Sequence, residues 1–178
     1  AVLLAEEKGD LGRDTSLQEL FPELKFDAID ADKITVQHLM THTSGIDNEP
    51  LTWAASYSGL HDAQSRLSII AASYPSAHAK LDDFEYSNIG YNILAIWFDE
   101  YYGMDWRDTL DETVLKPLGL TKTTGYVSHA QDMNWPLAQP YSYKVDQGLS
   151  PLYLRKTDKT MYSVGLMATA RDTARFVA

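Results

Sequence analysis

The stretch FEYSNIGYN, Phe84 to Asn92, sets a tyrosine two residues ahead of an asparagine. Tyr86 and Asn88 are residue types that can work on a carbonyl. A loop that runs into a helix projects alternate side chains to one side, so a phenol and an amide there can face one pocket. A phenol of ordinary pKa, about 10, is a poor base near neutrality. A neighbouring ammonium favours the phenolate and lets it take a proton from a serine. The same residues have a purely structural reading, in which Ser87 or Asn88 caps the helix and Tyr86 packs at its entrance. On residue types alone that reading is the stronger. A tyrosine-x-asparagine triplet is no rarity in a chain with 11 tyrosines.

Other chemistry-bearing residues have weaker claims. His38 and His42 lie one helical turn apart in HLMTH and share a face, as two zinc ligands do. The glutamate of a metalloprotease motif is missing, however, and no third ligand is near. His61, His78 and His129 are scattered, so no metal site is expected. His42 reads better as a residue near a helix C-terminus, where its donors suit the dipole. Ser44, in HTSGI, is not the serine of a G-x-S-x-G elbow and is better explained by a turn.

Composition narrows the field. A length of 178 residues is that of about one domain, and 44% hydrophobic with 22% charged residues is ordinary for a globular chain. The net charge of -10 argues against nucleic acid or an anionic membrane as main partner. No apolar run approaches the roughly 20 residues that span a bilayer as a helix. With Cys 0, disulfides, thiolate metal sites and a cysteine nucleophile are ruled out. No cofactor is expected.

The elements that must position Tyr86 and Asn88 are short helices joined by long connections. Ala1 to Lys8 reads as a helix that Gly9 ends. Ser16 and Glu19 form a capping box for a brief helix closed by Pro22. Thr35 caps VQHLMTH, with Val36, Leu39 and Met40 on one face and Ser44-Gly45 as its stop. Residues 46 to 60, with Trp53 and Tyr57, show no period. Asp62 starts a helix through Ala72. Ser87 or Asn88 starts a longer one, with Ile89, Ile93, Ile96 and Trp97 at helical spacing and Gly103 as its end. Asp105 caps the next, carrying Trp106, Leu110 and Val114, and Pro117 and Gly119 break it. YSYKVDQGLSPLYL alternates around Asp146-Gln147-Gly148 and reads as a hairpin. Thr169, with Asp172 three residues on, opens a final helix. At least four helices are expected, those near 89–102 and 106–115 packing through Ile93, Ile96, Trp97, Trp106 and Leu110. Tyr86 is expected on an exposed loop, and no central sheet within 1–120. Both ends read as cut through helices, as in a piece of a longer protein.

Four blocks, ITVQHLMTHTSGI, FEYSNIGYNILA, VLKPLGLTKT and GLMATARDTARFV, occur in an order and spacing that resemble the serine β-lactamase-related family. That family holds class C β-lactamases, penicillin-binding-protein-type DD-peptidases and esterases. The resemblance runs from Ala1 to Ala178 and outweighs the structural reading of one triplet. It implies a mixed α/β fold. Residues 1–178 would be a single piece, the mainly helical lobe of the β-lactamase/transpeptidase-like fold, with the central sheet largely outside it. It implies that Tyr86 is the general base, or part of a base system with a lysine. Asn88 would bind that lysine and a polar group of the substrate. The HTSG block looks structural, a turn under the site. The family's nucleophile is the serine of Ser-x-x-Lys, at the start of a helix running into an LLAEEG-like stretch. This chain starts at AVLLAEEKG and has no serine followed three residues later by lysine. The nucleophile is therefore expected outside the chain, as is the Lys-Thr-Gly-like strand. The implied substrates are small-molecule esters, amides, β-lactams or peptides, and the THTSG and YSN forms look more like the esterase and peptidase branch. The resemblance also implies an exported or periplasmic protein. A non-catalytic binding or sensing relative, and an independent helical module, are the other readings.

Overall fold

The computed structural model describes residues 1–54, 63–138, 141–144, 146–149, 158 and 165–178. Its first element, α1 (Val2–Lys8), ends on Gly9 in the left-handed region at φ 82, as the sequence predicts. In α2 (Leu17–Leu20) the capping box is complete. Ser16 N–H donates to Glu19 Oε2 at 2.7 Å, and Glu19 N–H donates to Ser16 Oγ at 3.2 Å. The backbone then ties α2 beside the next helix, α3 (Val36–Thr41). Leu17 N–H donates to the Ile34 carbonyl at 2.6 Å and Val36 N–H to that of Thr15 at 3.0 Å. The helix predicted to stop at Ser44-Gly45 stops earlier. His42, at φ 60 and ψ 38, is its left-handed cap.

Residues 46–54 hold more structure than their lack of period suggests. β1 (Ile46–Asp47) pairs antiparallel with β2 (Tyr74–Pro75), Ile46 opposite Pro75. Between them lie α4 (Glu49–Trp53) and α5 (Ala63–Ala71). A five-residue helix is too short to show a period, and α4 is set by its cap: Asn48 Oδ1 accepts from Leu51 N–H at 3.0 Å, with Pro50 in the first turn. Tyr57, His61 and Asp62 lie outside the described residues. Among the described residues the sheet consists of this one pair, so no central sheet forms within 1–120 and the fold is a helix-rich mixed α/β.

The centre is α6 (Ile89–Tyr102). Ile93, Leu94, Ile96, Trp97 and Phe98 are all buried, so the helix is covered on more than the one face its spacing indicates. It touches α3, α4, α5 and α7 (Trp106–Leu110), which continues through a π-helical turn, Asp111–Leu115. Ile93, Ile96 and Trp97 join the core with Trp106 packed against it. Leu110 instead lines an open apolar pocket of about 410 Å³ with Leu94, Phe98 and Trp106. Asp99 ties three elements. It pairs with Arg66 of α5 at 2.7 Å and accepts Trp106 N–H at 2.6 Å. At the far end of α6, Tyr102 OH donates to Asp10 at 2.6 Å, and burial followed by this bond pushes the phenol pKa up to about 12.

After α8 (Val127–Asp132), Asp146–Gly148 is a 3-10 turn with Gln147 at φ 52; the strand expected after it falls mostly outside the described residues. The last helix, α9 (Ala170–Val177), opens on Thr169, whose Oγ1 accepts from Asp172 N–H at 3.2 Å. Among the described residues no helix is long and apolar enough to cross a membrane.

One contact fixes α6 against α3. A Cβ built on Gly90 would lie 2.3 Å from the Leu39 carbonyl oxygen, so the two backbones meet where no side chain fits. Gly90→Ala gains up to about 1 kcal/mol of helix propensity. The overpacking it forces is worth about 1–3 kcal/mol in the opposite sense. The whole protein carrying Gly90→Ala is therefore expected to melt below the wild type in a thermal scan. A variant melting at or above the wild type contradicts this contact.

Candidate active site

The backbone from Asp82 to Ser87 is laid across the end of α3. Asp82 N–H donates to the Thr43 carbonyl and Glu85 N–H to that of His42, each at 2.9 Å. The side chain of His42 continues the seam, with Nδ1 2.9 Å from the Ser87 carbonyl oxygen and 3.3 Å from Ser87 N. A protonated Nδ1 donates to that carbonyl and a bare Nδ1 accepts from Ser87 N–H, so either tautomer ties the imidazole to the Ser87 backbone. Gly45 lies in the same turn at φ 63. A Cβ there would sit 2.5 Å from backbone atoms of Lys80 and Leu81, so HTSG is a tight turn pressed on the approach to the site.

This seam places Tyr86 on an exposed loop, 68% accessible, as expected from the sequence. Its OH donates to Asn88 Oδ1 at 3.2 Å. Asn88 occupies the N-cap position of α6, but its side chain makes no capping bond. Ser87 does that work, with Oγ accepting from Ile89 N–H at 3.1 Å. The Asn88 carbonyl takes both the backbone N–H and the Nδ2 of buried Asn92, each at 3.0 Å. Main chain and side chain of Asn88 thus face different ways: one is held by the helix, the other meets the phenol. Among the described residues no lysine or arginine contacts the Tyr86 hydroxyl. The cation that would favour a phenolate is not supplied by them.

Three aromatic rings surround His42. Its imidazole is 4.7 Å from Tyr86, 5.5 Å from Tyr91 and 6.1 Å from Phe84, centroid to centroid. Tyr91 is anchored in turn, its OH donating to the Met40 carbonyl at 3.0 Å. The grouping of His42, Tyr91 and Asn92 about the Tyr86–Asn88 pair is not evident from motif spacing. A polar residue at a core position of α6 is the one signal that singles out Asn92.

The other candidates sit elsewhere. His38 is occupied at both nitrogens: Nδ1 accepts from Thr35 N–H at 3.0 Å, which leaves Nε2 to donate to Asp82 Oδ1 at 3.2 Å. His129 packs edge-on against Trp135. His61 lies outside the described residues. Among the described residues no three His, Asp or Glu side chains gather as a ligand set. Ser44 lines a small pocket of about 280 Å³ with Gly45, Ile46 and Leu81.

With this geometry in hand, the chain can be set beside known proteins. The Beta-lactamase family model matches residues 1–178. Penicillin-binding protein 4* of Bacillus subtilis (strain 168) is 23% identical over 171 residues, which are 93% of this chain and 37% of that protein. A D-stereospecific amidohydrolase from Streptomyces sp. superposes with a TM-score of 0.73 at 18% identity, over 99% of this chain and 55% of that one. A β-lactamase/D-alanine carboxypeptidase from Pseudomonas syringae gives a TM-score of 0.67 at 22% identity, over 97% and 45%. At such identities the structures establish a common fold. The chain spans about half or less of these relatives.

A serine nucleophile needs a base, an orienting partner and oxyanion donors around one point. No serine of the chain begins a Ser-x-x-Lys, and the Ser87 hydroxyl is used as a cap. The 178-residue chain by itself is expected to form no covalent adduct with penicillin or a fluorophosphonate, as read by intact-mass spectrometry. A stoichiometric adduct on one serine, absent after heat denaturation, would place the nucleophile within this sequence.

Proposed function

The chain belongs to the β-lactamase family, and from that footing we propose that the whole protein is a serine hydrolase or acyltransferase working through an acyl-enzyme. Tyr86 is its general base and Asn88 its substrate-orienting amide. The observation that carries this reading is the bond between the Tyr86 hydroxyl and Asn88 Oδ1 at 3.2 Å, on a loop where Asn88 is released from capping.

The steps follow from the groups available. A serine and a lysine from the rest of the protein meet the exposed face of Tyr86. The ammonium stabilises the phenolate, which takes the serine Oγ proton as oxygen attacks the substrate carbonyl. Backbone N–H donors hold the tetrahedral oxyanion. The phenol returns its proton to the departing alcohol or amine as the carbonyl–heteroatom bond breaks. Water, or another acceptor, then releases the acyl group by the same proton path. Asn88 contributes its amide to the lysine and to a polar group of the substrate.

Esters and D-configured amides or peptides fit better than a dedicated β-lactamase role. Support comes from the THTSG and YSN forms and from relatives described as a penicillin-binding protein and a D-stereospecific amidohydrolase.

In the whole protein, Tyr86→Phe is expected to lower kcat on an activated ester by roughly 10²–10⁴, the range for a lost proton-transfer group. An exposed ring that keeps its packing should leave the melting temperature nearly unchanged. Near-wild-type turnover by the variant would remove Tyr86 from the mechanism. A wild-type protein that binds such substrates without turnover would instead indicate a binding or sensing role.

A further inference from the structure

Most left-handed helix ends among the described residues fall on glycine. Gly9 closes α1 at φ 82, Gly103 closes α6 at φ 64, and Gly119 follows the 106–115 helix at φ 64. Two ends differ: Asn134, of a residue type that tolerates this region, follows α8 at φ 49, and His42 closes α3 at φ 60. A side chain in that region is strained, by about 1–3 kcal/mol in general, and such strain persists where the surroundings demand it. Glycine would make the same turn without strain. The histidine is therefore there for its side chain.

That side chain reaches across 45 positions of sequence to the loop carrying Tyr86. The main-chain carbonyl of His42 accepts from Glu85 N–H at 2.9 Å, and its Nδ1 meets the Ser87 backbone, 2.9 Å from the carbonyl oxygen and 3.3 Å from the nitrogen. One residue thus holds both chain neighbours of Tyr86. The imidazole also lies 4.7 Å from the phenol ring, tilted at 41°, with Tyr91 flanking it at 5.5 Å. An exposed tyrosine has several rotamers open to it. Flanked by the imidazole, and bonded at its tip to Asn88, it is held to one.

Resting on the general-base reading of Tyr86, we infer that His42 is its positioning residue: the imidazole pins the Ser87 backbone and buttresses the phenol in the orientation from which the proton moves. His42 acts through Tyr86 and touches no reacting atom. Proton transfer falls off steeply with misplacement, and an error near 1 Å can cost on the order of 10²-fold. The consequence is a kcat effect with little change in KM.

The experiment uses the whole protein and a chromogenic p-nitrophenyl ester, with kcat, KM and thermal melting measured for His42→Gly, His42→Asn, Tyr86→Phe and the His42→Gly/Tyr86→Phe double variant. Glycine and asparagine both tolerate the left-handed backbone, so the turn survives in each. Glycine deletes the imidazole. Asparagine carries an amide nitrogen and an amide oxygen at the same bond distance from Cβ as Nδ1, and so restores a hydrogen-bond partner to the Ser87 backbone. His42→Gly is expected to lower kcat by roughly 10- to 100-fold with KM nearly unchanged, and His42→Asn to recover most of that loss. On the Tyr86→Phe background, His42→Gly should cost little more, because the group it positions is already gone. Wild-type kcat in His42→Gly overturns the inference. So does an asparagine variant as slow as the glycine one, or a penalty that multiplies undiminished onto Tyr86→Phe. A fully active Tyr86→Phe protein would remove the base assignment itself, and it is read from a variant in which His42 is intact.

Discussion

Everything about the site depends on one close approach of backbone to backbone. Gly90, in the first turn of α6, sits so near the Leu39 carbonyl that an added Cβ would be 2.3 Å from it. With no side chain to hold them apart, α6 lies directly on α3. The residue three positions after Leu39 is then forced up against the residues just before Gly90. That is how His42 comes to bond Ser87 and Glu85, the two chain neighbours of Tyr86. A looser contact would leave Tyr86 and Asn88 on a free helix entrance. The buried apolar residues of α6 supply the driving force for the packing, and Gly90 sets its distance.

The triplet Tyr86-Ser87-Asn88 invites a choice between a helix cap and half an active site. In the structure the cap and the contact with the phenol fall to adjacent residues. Ser87 takes the cap by bonding Ile89 N–H. Asn88, an equally good cap by residue type, keeps only its backbone in the helix, where Asn92 holds the carbonyl. Its side chain is left to meet the phenol of Tyr86. A serine in the middle position is thus a structural choice that frees its neighbour.

What could be read from the sequence was local. The capping box of Ser16 and Glu19, the glycine stops at Gly9 and Gly103 and the Thr169 cap are each decided within one helical turn, and each stands as expected. The fold class and the exposure of Tyr86 were likewise legible, the first through ordered family blocks and the second through the loop-to-helix pattern. The seam between His42 and Ser87 was not, because nothing in HTSG points to a partner 45 residues away. The end of α3 was misplaced for a related reason. Ser44-Gly45 is the stronger stop by residue type, yet tertiary contacts hold His42 in the left-handed turn before it. α4 leaves no mark in the sequence pattern, because a five-residue helix fixed by Asn48 is too short to show a period.

On the proposed function, Tyr86 and Asn88 form one wall of a serine acylation site completed by the rest of the protein. The measurement that bears on it most directly is a crystal structure of the whole protein after reaction with a fluorophosphonate. The Tyr86 hydroxyl should then lie within about 2.6–3.2 Å of the modified serine oxygen, with the Asn88 amide facing the adduct. An adduct on a serine that neither Tyr86 nor Asn88 approaches would contradict it.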